Sequence, residues 1–162
     1  MEVKHRKDQT MSTDYKLIKR QMEQLAEEEP FYVPLMSNAA AVLWEALDDI
    51  NWVGFYFIKD GGLVLGPFQG KVACIHISVG KGVCGTCVAE DRVQRVPDVH
   101  RFPGHIACDS ATNSEIVLPL HHDGKVVAVL DIDSKEFDRF REEDEEGLRQ
   151  VALSLEQNLT WE

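Results

Sequence analysis

Two glycine turns constrain the fold of this chain more than any other feature. Lys59-Asp60-Gly61-Gly62 separates the β-rich run WVGFYFI from LVLGPF, and Asp123-Gly124 separates EIVLPLH from VVAVLDID. Asp-Gly turns between such runs make antiparallel hairpins, because aspartate and glycine reach the positive φ that tight turns require. Two hairpins form a sheet that needs cover, and the covering segments lie at both ends. Ser12, Thr13 and Asp14 offer N-caps for a helix with Tyr15, Ile18, Met22 and Leu25 on one face, stopping near Glu28 ahead of Pro30. A second helix is expected over residues 34–47, with Leu35, Ala39, Val42, Leu43 and Ala46 inward. A closing helix fits residues 142–158, with Leu148, Val151, Leu155 and Leu159 on one face.

Between the hairpins the pattern predicts a short strand in ACIHI, a helix over residues 83–90 after Gly80-Lys81-Gly82, and a strand over 92–96. An irregular loop then runs over residues 97–114, with a turn at Pro103-Gly104. Loops of that length inside a compact domain are functional or disordered. The sum is an α+β domain: a central antiparallel sheet with the N- and C-terminal helices on one face and a loop-roofed pocket on the other. Residues 1–11 are expected to be a disordered tail, and residues 12–162 a single domain large enough to bury its own core.

Composition excludes several classes. The formal net charge is −11, so phosphate-rich nucleic acid would be repelled. Much of the acid is local, in Glu27, Glu28 and Glu29 and over residues 138–146, where it reads as solvated helix ends and faces. No apolar run approaches the roughly 20 residues of a membrane span, and the polar start MEVKHRKDQT is no signal peptide. The expected location is therefore cytoplasmic, where thiols stay reduced. The four cysteines, Cys74, Cys84, Cys87 and Cys108, then read as reactive or structural thiols more readily than as a disulfide framework.

Three readings of these cysteines compete. Cys84-x-x-Cys87 has zinc-ligand spacing, with His76, His100 and His105 as partners, but it lacks a second clear pair. It also resembles a redox CxxC whose first thiol is acidified by a helix N-terminus, yet the βαβ context is missing. Cys87 alone reads as a small buried hydrophobe. Cys108 differs, because it sits late in the long loop beside Asp109, where a side chain can face a cavity. Glu115 opens one apolar strand, and Asp131 and Asp133, two apart on the next, project from one face, so the three carboxylates can converge.

The segments NWVGFYF, LVLGPFQGKVACIHI, GKGVCGT, DVHRFPGHIACDS and NSEIVLPL, followed by VLDIDS, resemble those of free methionine-(R)-sulfoxide reductases. These are small cytoplasmic enzymes built on a GAF domain. The similarity spans about residues 38–134, and the joint order and spacing carry it. It implies three redox cysteines: Cys108 as the attacking thiol, with Cys74 and Cys84 as those that form disulfides with it. It implies a substrate pocket with carboxylates at Glu115, Asp131 and Asp133 and an aromatic wall of Trp52 and Tyr56. Cys87 departs from the family pattern, which more often has a small residue there.

The chemistry then expected is attack of the Cys108 thiolate on the sulfoxide sulfur, with Asp131 and Asp133 serving the oxygen. Methionine departs, and the Cys108 sulfenic acid condenses with a neighbouring thiol to a disulfide. Thioredoxin resets it, drawing ultimately on NADPH, with no bound cofactor and no metal. Glu115 would hold the ammonium of a free methionine sulfoxide, and Trp52 and Tyr56 its S-methyl end. Preference for the R epimer is implied by the resemblance alone. A homodimer is an open expectation, and a non-catalytic GAF ligand-sensing domain is the competing function.

Overall fold

The computed structural model describes residues 12–162. The chain runs α1 (Tyr15–Glu28), α2 (Tyr32–Ala46), β1 (Trp52–Lys59), β2 (Gly62–Gly70), β3 (His76–Ser78), α3 (Gly82–Glu90), β4 (Gln94–Val96), a 3-10 turn (Val99–Arg101), β5 (Ser114–His122), β6 (Lys125–Ser134) and α4 (Glu142–Asn158). The tail expected over residues 1–11 lies outside the described residues.

Local chemistry sets the helix ends. Asp14 caps α1 by accepting from the Leu17 N–H at 3.0 Å. Helix α2 begins two residues earlier than expected, because Pro34 falls in the first turn, where a missing N–H costs no intrahelical bond. Its buried side is Leu35, Met36, Ala39, Ala40 and Leu43; Val42 is half-buried and Ala46 is exposed, contrary to their expected inward position. The acid run entering α4 is solvated at Glu142, Glu143 and Glu146 but not at Asp144. That carboxylate is buried, accepting from the Tyr15 hydroxyl at 2.6 Å and from the Arg141 N–H at 2.9 Å, and so ties α4 to α1.

The six strands form one antiparallel sheet in the order β3-β2-β1-β6-β5-β4. Alternation along the central strands sorts their side chains into two cores. Val53 and Phe55 of β1, Ile116, Leu118 and Leu120 of β5, and Leu130 and Ile132 of β6 pack beneath α1, α2 and α4. On the other face Trp52, Tyr56, Val117 and Val129 pack with Val83, Cys84 and Cys87 of α3. The expected layering therefore holds, with the terminal helices on one face and α3 and loops on the other.

The third strand is shorter than ACIHI. Pairing with β2 stops at Val64↔His76, just before β2 bulges opposite Gly54 and Tyr56, where Pro67 brings no N–H to a ladder. Ala73, Cys74 and Ile75 are left as an irregular segment. The strand expected over residues 92–96 is likewise reduced to Gln94–Val96.

Gly54 is what lets the cavity face form. A Cβ there would sit 2.8 Å from the Trp52 ring and 2.9 Å from the Phe68 backbone, so the bare backbone gives the indole a floor. The ring stacks between Phe68 and Tyr56, at centroid distances of 5.3 and 5.8 Å. Gly54→Val should therefore lower stability by about 1–3 kcal/mol through overpacking. A urea-unfolding midpoint equal to that of the unsubstituted protein would contradict this packing.

Candidate active site

Strand register builds the site row by row. Trp52 pairs with Asp133, which pairs with Glu115; Gly54 pairs with Asp131, which pairs with Val117. All of these point to the α3 face, so the three carboxyls that the sequence placed on neighbouring strands do meet. They line, with Trp52, Tyr56, Cys84 and Cys108, a cavity of about 50 Å³.

Glu115 and Asp131 are buried, and Asp133 is half-buried. Glu115 lies within hydrogen-bonding reach of both Asp131 and Asp133. Loss of water raises the Glu115 pKa well above the carboxylate range, and the charge of Asp131 pushes it the same way. Burial and the Asp133 charge raise Asp131, and burial and the Glu115 charge raise Asp133. Like charges this close cannot all ionise, so the trio shares protons and titrates as a unit. Asp131 Oδ1 and Asp133 Oδ1 are buried with no partner, two acceptors still unsatisfied inside the cavity.

The cysteines divide into three environments. Cys74 and Cys108 form a disulfide with their Cα atoms 5.5 Å apart, joining the irregular segment after β2 to the long loop before β5. Cys84, in the first turn of α3, is a buried free thiol beside Asp131. The sequence comparison with redox CxxC motifs expected a helix N-terminus to acidify it. Instead burial, and then the charges of Asp131, Glu115 and Asp133, raise its pKa well above that of an ordinary thiol. Its S–H therefore remains on sulfur, oriented to Asp131. Cys87 is fully buried, its sulfur 3.7 Å from the Val117 carbonyl, and burial pushes its pKa up to about 12.

Zinc ligation by Cys84, Cys87 and a histidine finds no geometric basis. Among the described residues, the ligand-type atoms that converge are those of Cys84, Glu115 and Asp131, within 4.8 Å of one another. A cation there would have to displace protons from groups whose pKa values are all raised.

Strand β1 and the residue before it also hold the two disulfide-bearing segments. The Trp52 Nε1–H donates to the Lys71 carbonyl at 3.1 Å, and the Tyr56 hydroxyl to the Cys74 carbonyl at 3.0 Å. The Asn51 side-chain amide donates to Asp109 Oδ2 at 3.1 Å and to Thr112 Oγ1 at 3.0 Å. The Ala111 N–H holds the Asp109 carboxyl below its usual range, against the opposing effect of burial. Asn51, Lys71, Lys81 and Thr112 carry no sequence signal of a site, although Lys71, Lys81 and Thr112 line the cavity; His105, a candidate zinc partner from its sequence, lines it too. Burial, and then neighbouring His100, lowers the His105 pKa, which favours the neutral ring. No sequence signal separated the other four polar residues from ordinary loop residues, because only the fold brings them to the cavity rim.

Known proteins share this arrangement of sheet and cavity. The GAF domain family matches residues 33–159. The free methionine-R-sulfoxide reductase of Escherichia coli is 54% identical over 145 residues, spanning 90% of this chain and 88% of that protein. The structure of fRMsr of Staphylococcus aureus in complex with substrate superposes with a TM-score of 0.87 at 49% identity, covering 92% of this chain and 97% of that one. The free methionine-R-sulfoxide reductase of Neisseria meningitidis in complex with its substrate gives 0.85 at 42% identity, over 89% and 87% of the two chains. The present chain belongs to the GAF domain family and, within it, to the free methionine-R-sulfoxide reductases.

Proposed function

We propose that this enzyme reduces free L-methionine (R)-S-oxide to L-methionine through Cys108, and that thioredoxin regenerates it. One observation carries the reading: a disulfide that includes Cys108 closes over a cavity lined by three carboxyls whose pKa values are all raised by burial and by one another. The Cys108 thiolate attacks the sulfoxide sulfur while a neutral carboxyl of the Asp131–Asp133 pair gives its proton to the oxygen. Methionine leaves and Cys108 carries the oxygen as sulfenic acid. The Cys74 thiol then displaces water, forming the disulfide. A dithiol reductant returns both sulfurs to thiols. The Cys74–Cys108 pairing favours Cys74 as the resolving thiol over Cys84, two roles that sequence alone left open.

Substrate recognition follows from the same groups. The stacked Trp52 and Tyr56 rings offer the S-methyl group an apolar, polarisable wall. An arriving ammonium opposes the like-charge repulsion within the trio and draws Glu115 into its ionised form. Need for that free ammonium excludes methionine sulfoxide within a peptide. The deciding experiment follows loss of free methionine-R-sulfoxide with thioredoxin, its reductase and NADPH. Turnover supports the enzyme, whereas ligand binding without turnover supports a sensor.

Cys108→Ser should abolish turnover; a near-normal rate would move the attacking role to Cys84 or Cys74. Cys87→Ala should leave the rate largely intact, because its thiol faces a backbone carbonyl and stays protonated. It should cost about 1–2 kcal/mol in denaturant melts through the cavity left behind. A large loss of thioredoxin-dependent turnover in a folded Cys87→Ala protein would bring the fourth thiol into the relay.

The carboxyls should divide the work. Asp133→Asn slows methionine release in a single turnover, because an amide donates a hydrogen bond but transfers no proton. Glu115→Gln mainly raises KM, by about tenfold for one charge-assisted contact. The raised carboxyl pKa values also set a sign for pH. The proton donor is present below the raised pKa and lost as pH rises through it, so the single-turnover rate should fall on that alkaline limb. A rate that climbs steadily with pH through and beyond that range, or the reverse split between the two variants, would sink the assignment.

A further inference from the structure

The reductant must reach the Cys74–Cys108 disulfide from outside, and the surface around that bond combines exposed apolar side chains with basic ones. Residues 71–81 and 101–108 carry Lys71, Lys81 and Arg101 and no carboxylate, in a chain of net charge −11; Asp109, next to Cys108, is held by the Asn51 amide and the Ala111 N–H. Four large apolar side chains face solvent in the same two segments, Val79 among them, and three lie near the disulfide in sequence. Val72 is 89% exposed and Ile75 60%, on either side of Cys74, and Ile106 is 40% exposed two residues before Cys108. Lys71, Val72, Lys81 and Ile106 all border the cavity mouth, and Ile106 packs over Gly82. Cys108 itself is exposed, whereas Cys74 is half-buried. Adjacent exposed apolar residues with a cationic rim describe a contact surface more than a solvated loop.

We infer that Val72, Ile75 and Ile106, rimmed by Lys71 and Lys81, form the docking surface for a dithiol protein of the thioredoxin type with acidic residues near its thiols. The inference rests on the reductase reading above and adds to it where the reductant sits and which sulfur it meets. The partner's thiolate attacks the exposed Cys108 sulfur, breaking the Cys74–Cys108 bond and forming a mixed disulfide. Cys74 leaves as a thiolate and takes up a proton. The partner's second thiol then displaces Cys108, which is protonated in turn. Two electrons and two protons enter this protein, and the partner departs as its disulfide. Attraction between the lysine rim and an acidic partner speeds encounter, and the apolar centre holds the complex long enough for exchange.

Ile75 does not line the cavity, so Ile75→Asp tests the surface without touching the substrate. The KM for thioredoxin should rise about tenfold while turnover driven by dithiothreitol stays unchanged. Unchanged thioredoxin kinetics would overturn the surface. If the substitution also impairs the dithiothreitol reaction, the unsubstituted protein decides, trapped with a thioredoxin whose resolving cysteine is replaced by serine. An adduct on Cys108, with amide-exchange protection over residues 71–75 and 105–108, supports the inference; an adduct on Cys74 or protection elsewhere overturns it. Absence of methionine sulfoxide turnover with either reductant is failure of the activity reading instead, and the trapped adduct still tests the surface.

Discussion

The register of three central strands, β1, β6 and β5, is the constraint on which the site depends. Trp52, Asp133 and Glu115 occupy one row across them, and Gly54, Asp131 and Val117 the next. Side chains alternate with a period of two, so a slip of one residue would drive the carboxyls into the apolar core beneath α1, α2 and α4. The alternating Ile116, Leu118, Leu130 and Ile132 prevent that slip, because they are fully buried under those helices. The helical core thus sets the chemistry of the opposite face without touching it.

Burying three carboxyls within reach of one another opposes folding and prepares the site for function. Each is stripped of water and repelled by its neighbours, and protonation relieves both costs. The folded state therefore binds protons more tightly than the unfolded chain does. Its stability falls as pH rises from the ordinary carboxylate range through the raised pKa values. A carboxyl that holds its proton more tightly than usual is also what a sulfoxide oxygen needs as it leaves sulfur.

The same aromatic residues that wall the cavity also hold the segment that carries Cys74. Trp52 and Tyr56 donate to the Lys71 and Cys74 carbonyls, and Asn51 grips Asp109 and Thr112. The Cys74 segment is thereby anchored to β1 through backbone carbonyls and the Cys108 segment to Asn51 through side chains, which leaves the sulfurs free to exchange. Cys84 and Cys87, although three residues apart like a redox pair, are buried thiols with raised pKa values. Their spacing comes from the turn of α3 and carries no disulfide between them.

Much of this was legible in the chain. The turns at Gly61 and Gly124, the apolar stripes of the terminal helices, and the pairing of Asp131 with Asp133 on one face all follow from local rules of φ, period and capping. Those rules place residues on an element and a face. They do not say where two distant segments meet, which is why Val42 and Ala46 are less buried than the helical period predicts, and why Asp144 is buried within an acid run. The joining of Cys74 to Cys108, the protonation of Cys84, and the arrival of Lys71, Lys81 and His105 at the cavity mouth were likewise undetermined by local sequence. The sequence by itself determined the strand alternation, the hairpins and the residues able to do thiol and acid chemistry, because these depend on neighbours a few positions away. Only the tertiary structure decided which thiols meet and which acids keep their protons, because pairing and desolvation depend on segments brought together across the sheet.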